Sequence, residues 1–186
     1  MENKNEIRNL TTRKIISETL LKLLSKKELI DISITEFCKL ANINRGTFYN
    51  HYRNLAEVYD ELCDDFIEQI KRKLILSDNF NFNIDSLGDV LLYIKKEKVV
   101  FSTLLKDGLS SPLVRKILDV FLEIYKEAFS KFSRIDQQTL NDLYNYIVYG
   151  SISIIIAWAK DNYHRSCSEI AKVIIDFSYY LTKRYQ

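Results

Sequence analysis

The chain has 186 residues, 47% of them hydrophobic, with one Pro, four Gly and a formal net charge of +2. That is enough apolar material for a real core, divided between a small domain and a larger one, and so few helix breakers argue for mostly helix. No apolar run reaches membrane-spanning length: the longest, Ile152 to Ala159, is interrupted by Ser153 and stops at Lys160.

In chain order, Thr11 or Thr12 can cap a first helix that runs to about Ser25, with Ile16, Leu20, Leu23 and Leu24 as its apolar stripe. Leu29, Ile30, Ile32 and Ile34 link it to the next helix. Their alternation resembles a strand but is very short. Ser33 and Glu36 form an S-x-x-E capping box, so a second helix starts after Ser33 and buries Ile34, Phe37, Cys38 and Ala41. Asn42 suits the left-handed residue that ends this helix, and Asn44 is an N-cap for the third, which leaves Asn42 and Ile43 as a tight turn.

The third helix is short. Phe48 and Tyr52, four apart, face the core with Ile43. Arg45, Thr47, Tyr49, Asn50 and His51 fall largely on the other sides. Gly46 lowers helix propensity but lets a phosphate approach, and the helix N-terminus beside Arg45 suits an anion or a guanine. Two short helices across a tight turn, the second rich in polar and aromatic side chains, have the anatomy of a helix-turn-helix that reads the DNA major groove. Asn54 then caps a long helix from about Leu55 to Leu76, with Val58, Leu62, Phe66, Ile70 and Leu74 or Ile75 buried.

Ser77 to Asn83 reads as a polar-aromatic linker. Beyond it, helices are predicted from after Asp85 to Lys96, from Glu97 to about Lys106, and from Pro112 to about Phe132, with a break at Asp107-Gly108. Two long helices close the chain, one from about Asp136 to Asp161 and one from the Ser166-x-x-Glu169 box to about Arg184. Both are apolar on more than one side, which suits a four-helix dimer interface, the alternative being that they bury each other within one subunit. The candidate interface residues are Ile147, Gly150, Ser151, Ile154, Trp158, Ile170, Val173, Ile174, Phe177 and Leu181.

Charge is unevenly spread. Residues 1–53 hold ten Lys or Arg against six Asp or Glu, a net of +4, whereas residues 54–186 hold seventeen against nineteen. A basic head on a slightly acidic remainder fits DNA contact at one end. Cys38, Cys63 and Cys167 match no zinc or C-x-x-C spacing, which predicts a reducing cytoplasmic setting and no metal. The polar start, Met1 to Asn5, is unlike a signal peptide. His51 and His164 are the only histidines, and neither sits in a nucleophile, phosphate-loop or metal-helix pattern, so the chain does not read as an enzyme.

The run Ile15 to Leu24, then Ile32-Ser33-Ile34-Thr35-Glu36-Phe37-Cys38, then Ala41 to Tyr52 resembles the TetR family of transcription regulators, most specifically in Gly46-Thr47-Phe48-Tyr49-x-His51-Tyr52. Tyr149-Gly150, Trp158 and Ser166-x-x-Glu169 also resemble, more loosely, C-terminal domains of part of that family. The resemblance implies an all-α fold of about nine helices: a three-helix DNA-binding domain, residues 8–68, joined by a long helix to a regulatory and dimerisation domain, residues 77–186. It implies DNA contact by Ser33, Thr35, Asn44, Arg45, Gly46, Thr47, Tyr49, Asn50, His51 and Arg53. It further implies a palindromic duplex operator, a homodimer, no cofactor, and repression relieved by a small-molecule effector. Tyr93, Phe101, Phe121, Tyr125, Tyr144 and Trp158 are aromatics on apolar faces that could line the effector pocket. Two positions depart from the family's pattern: Asn42 stands where Gly is usual, and Leu55 where a phosphate-contacting Lys is common, with Arg53 a candidate substitute. Two other classes stay in view: a DNA-binding regulator whose body binds a protein partner or nothing, and a helical enzyme or cofactor binder.

Overall fold

The computed structural model describes residues 2–75, 84–129 and 135–185, with side chains over 6–74, 84–122 and 135–185. Among these residues there are nine α-helices, three short 3-10 turns and no strand. The helices are α1 (Glu2–Leu24), α2 (Ile34–Ala41), α3 (Arg45–Tyr49), α4 (Leu55–Ile75), α5 (Ile84–Lys96), α6 (Lys98–Leu104), α7 (Pro112–Phe129), α8 (Gln137–Lys160) and α9 (Cys167–Thr182). The predicted linker Ser77 to Asn83 lies outside the described residues, as do the side chains of Tyr125 and Ile75.

The chain divides into two compact units, Met1–Asp65 and Phe66–Gln186, here the head and the body. In the head, Ile16, Leu20, Leu23 and Leu24 of α1 are buried, as are Phe37, Cys38 and Ala41 of α2, Phe48 of α3, and Val58 and Leu62 of α4. Two local expectations are corrected. Thr11 and Thr12 do not start α1. The helix runs through them, and their hydroxyls donate back to the carbonyls of Ile7 and Arg8 at 2.8 and 2.9 Å, the usual outlet for a threonine inside a helix. The strand-like alternation at 30–34 is instead a 3-10 turn, Leu29–Asp31, followed by extended residues that lead into the α2 cap.

In the body, α9 packs on both α5 and α8, and α8 also meets α7. Leu87, Val90, Leu91 and Ile94 of α5 are buried, with Leu113 and Val114 of α7 and Ile170 and Ile174 of α9. The helix ends follow from side-chain caps. Asp136 accepts from the Gln138 and Thr139 amides at 3.0 Å to start α8. Ser166 and Glu169 complete a reciprocal capping box at α9. Gly108, at φ 58, supplies the left-handed residue of the break before α7, and Ser111, fully buried, accepts from the Val114 amide just ahead of Pro112. No described helix is long and apolar enough to cross a membrane.

Candidate nucleic-acid interface

Three asparagines and a serine set the geometry of the head. Ser33 accepts from the Glu36 amide at 3.1 Å and starts α2. The return arm of the box is absent, because the Glu36 carboxylate reaches the Lys27 ammonium at 2.6 Å instead. Asn42 ends α2 in the left-handed conformation, φ 53 and ψ 43, which Asn tolerates better than any other non-glycine residue. Asn44, extended at φ −83 and ψ 161, accepts from the Thr47 amide at 2.6 Å and opens α3. A Cβ on Gly46 would sit 3.3 Å from that capping oxygen, so Gly46 keeps the cap clear. Asn54 repeats the device for α4, accepting from the Glu57 amide at 2.9 Å.

Beneath the turn, the Phe48 ring meets Phe37 edge-on at 5.4 Å and Tyr52 at 6.2 Å. Phe48 and Tyr52 are both buried, and Ile43 is partly so. Outside, Ser33, Thr35, Asn44, Arg45, Gly46, Tyr49, Asn50 and Arg53 are exposed, while Thr47 and His51 are half-buried. The Arg45 guanidinium donates to the Thr35 hydroxyl, which brings the start of α3 against the first turn of α2. Arg53 donates its amide to Glu57 at 2.6 Å and its guanidinium to the same carboxylate at 3.3 Å. These bonds, the amide's first, hold Glu57 below the usual carboxylate range.

Sequence reasoning missed one cluster behind this surface. The Tyr52 hydroxyl donates to Glu61 at 2.9 Å, Arg13 pairs with the other Glu61 oxygen at 3.4 Å, and its guanidinium lies 5.6 Å from the Tyr52 ring centre. Burial, then the Glu61 contact, pushes the Tyr52 phenol above its ordinary value, so it stays a neutral donor. The cluster ties α1, the end of the recognition unit and α4 together. Its members lie far apart in sequence, so no local spacing announces it.

Among the described residues, two spaces in the body stand out. An inner cavity of about 40 Å³ is walled by Ile70, Val90, Phe101, Ile117, Phe121 and Ile174 among others. A larger cleft of about 380 Å³ lies between α6 and the corner joining α8 to α9. Of the aromatics proposed for a pocket, Phe101 and Phe121 line the inner cavity. Tyr93, Tyr144 and Trp158 line neither space. Tyr93 packs on Phe66 at 5.1 Å, Tyr144 donates to the Leu118 carbonyl at 2.6 Å, and Trp158 is buried against Tyr163 with its indole N–H on the Arg165 carbonyl at 2.9 Å. Burial raises the Tyr144 phenol to about 12.

A family model described as a transcriptional regulator C-terminal region, of the TetR type, matches residues 83–179, more than half of the chain. The chain belongs to the TetR family of transcriptional regulators. Solved structures share the fold at low identity. A TetR regulator from Streptococcus agalactiae is 17% identical with a TM-score of 0.72, covering 96% of this chain and 99% of that one. A putative TetR-family regulator from Syntrophomonas wolfei is 17% identical with a TM-score of 0.71, covering 94% and 96%. FadR from Thermus thermophilus, a TetR-family repressor solved with lauroyl-CoA, is 18% identical with a TM-score of 0.52, covering 89% and 92%. No curated protein sequence matches the chain.

In this TetR-family chain the two departures have physical answers. Asn42 takes the left-handed conformation that Gly usually supplies. Leu55 is buried in the head, so nothing projects from it toward a phosphate. Of the residues expected at a dimer face, Ile147, Trp158, Ile170 and Ile174 are buried within the body itself. Gly150 and Phe177 are exposed, Ser151, Ile154, Val173 and Leu181 are half-buried, and Tyr146, Tyr149, Tyr179 and Tyr180 add exposed aromatic surface on the same two helices.

Proposed function

We propose that this TetR-family regulator is a homodimer that binds a palindromic operator in duplex DNA through α3, and that it represses until a small-molecule effector in the body releases it. The head carries this reading. Its caps fix α2 and α3 across a tight turn, and the polar residues left outside the core gather on α3 and the residues after it. Arg45, Thr47, Tyr49, Asn50 and His51 are the residues for base edges and nearby phosphates. Ser33, Thr35, Asn44, Gly46 and Arg53 flank them as backbone contacts.

A helix as short as α3 reaches only a few base pairs, so two copies about 34–36 Å apart would read the two half-sites. The exposed aromatics of α8 and α9 form the proposed dimer face, since five large apolar side chains left exposed on two neighbouring helices are what a partner would cover. The domain boundaries of the proposal are 8–68 for DNA binding and 77–186 for dimerisation and effector binding. The lauroyl-CoA held by the Thermus repressor supports a ligand in the body. The reading implies a cytoplasmic regulator, without cofactor, rather than an enzyme.

Selection of bound sites from random duplex DNA tests it. The expected result is an enriched palindrome whose affinity falls by roughly tenfold or more in Tyr49→Ala and His51→Ala, as for a lost base contact of about 1–3 kcal/mol. Phe177→Arg should give a monomer in sedimentation and weaken operator binding with it. No enriched site, or full operator affinity in a monomer, would overturn the proposal.

A further inference from the structure

Among the described residues, the inner cavity of the body is small, about 40 Å³. The cleft between α6 and the α8–α9 corner is about nine times as large, and Phe101 and Leu105 line both spaces. They form a shared wall between an outer cleft and the apolar interior. At about 380 Å³ the cleft lies near the lower end of the range for small-molecule sites, which favours a compact ligand over a nucleotide-bearing one.

The lining is divided by chemistry. Phe101, Leu105, Ile156 and Ala159 make an apolar floor, whereas Lys98, Val99 and Lys160 stand exposed at the rim and no Asp or Glu lines the cleft. A third lysine is close: the Lys95 ammonium donates to the carbonyl of Tyr163, another lining residue, at 3.3 Å.

The far edge of the cleft is unusual backbone. Asn162 and Tyr163 are consecutive non-glycine residues in the left-handed region, at φ 53 and 57. For an aromatic residue that conformation is strained and persists only where its surroundings over-determine it. Here the Tyr163 amide donates to the Trp158 carbonyl at 3.0 Å, its carbonyl takes the Lys95 bond, and its ring packs edge-on to Trp158 at 4.7 Å. These contacts hold Tyr163 buried, so the cleft keeps a fixed aromatic residue at its edge.

We propose that this cleft binds a small anionic amphiphile of the medium-chain fatty acid class. Its carboxylate sits at Lys98 and Lys160, and its tail lies on the apolar floor against Phe101 and Leu105. The ligand must be anionic because the rim charge is of one sign, and apolar beyond the head because the floor offers almost no polar partner. The inference rests on the reading that the body takes up a small molecule.

Calorimetric titration of the full chain with sodium octanoate tests it, with 1-octanol, octylamine and butyrate as controls and K98E/K160E as the variant. Octanoate should bind saturably and at least about tenfold more tightly than the uncharged, cationic or short-tailed controls. The double variant should lose at least about tenfold for octanoate and keep its octanol affinity and melting temperature, since both lysines are solvent-exposed. No saturable octanoate binding, equal affinity for octanol, or undiminished octanoate binding in the variant would each overturn the proposal. Operator affinity is measured separately. Octanoate that binds as expected but leaves operator affinity unchanged would support the cleft and count against octanoate as the releasing effector. An operator released by another compound, without octanoate binding, would overturn the cleft alone.

Discussion

The head and the body are both helical, but their helices are specified differently. In the head, each helix start around the turn is set by a side chain acting three residues away: Ser33 on Glu36, Asn44 on Thr47, Asn54 on Glu57. In the body, α5, α8 and α9 present apolar residues on several sides, and burial is decided by which helix lies opposite. Side-chain caps place helix starts in both units; the head's short helices are then held around the buried ring of Phe48, whereas the long body helices bury residues on several faces at once.

The largest expected effect probes whether the two units are also separate in stability. Phe48→Ala removes a fully buried ring from the centre of the head and should cost about 3–5 kcal/mol there. Trp158, the chain's only tryptophan, is buried in the body and reports on that unit alone. In urea, the variant should lose part of its helical circular dichroism while Trp158 fluorescence stays native. Coincident transitions would mean that the units unfold as one.

A smaller effect sharpens the role of the caps. Asn44→Ala should destabilise the head by about 1 kcal/mol, because the Thr47 amide loses its acceptor. Asn42→Gly should be neutral or slightly stabilising, since Gly takes the same left-handed conformation without a Cβ. Thermal melts of the two variants read both signs. A marked loss in Asn42→Gly would show that the Asn42 side chain, and not its backbone, is what the turn requires.

The smallest effect concerns acid. Glu169 is held below its ordinary value of 4.5, chiefly by the Ser166 hydroxyl. A depressed folded-state value stabilises above the unfolded value and is lost as pH falls through the folded one. Glu169→Gln should therefore lower the urea midpoint at neutral pH and converge with the wild type once pH has fallen through the lowered folded-state value. In the head, the matching box lacks its return arm because Glu36 pairs with Lys27, so Glu36→Gln should instead release an exposed ion pair and move the midpoint little.

This contrast also explains what could be read in advance. The capped boundaries of α2, α3, α4, α8 and α9 were legible, because Asn, Ser or Asp at a cap acts on residues in the same window. The start of α1 was not, since Thr11 and Thr12 satisfy their hydroxyls inside a helix as readily as at its end. Nor was the fate of Ile147, Trp158, Ile170 and Ile174. Apolar periodicity says that a residue is buried, not whether its own chain or a second copy buries it. The Arg13–Tyr52–Glu61 cluster and the left-handed pair Asn162–Tyr163 depend on partners across the fold and left no local trace.

The burial of Phe48 and Tyr52 under a turn fixed by Asn42 and Asn44 has an evolutionary consequence. The scaffold is maintained by one set of residues, and Tyr49 and Asn50 belong to another, exposed and outside the core. Substitutions in the second set are close to free in stability. On the proposed docking, a duplicated copy drifts toward a different operator through a handful of codons while its fold is kept.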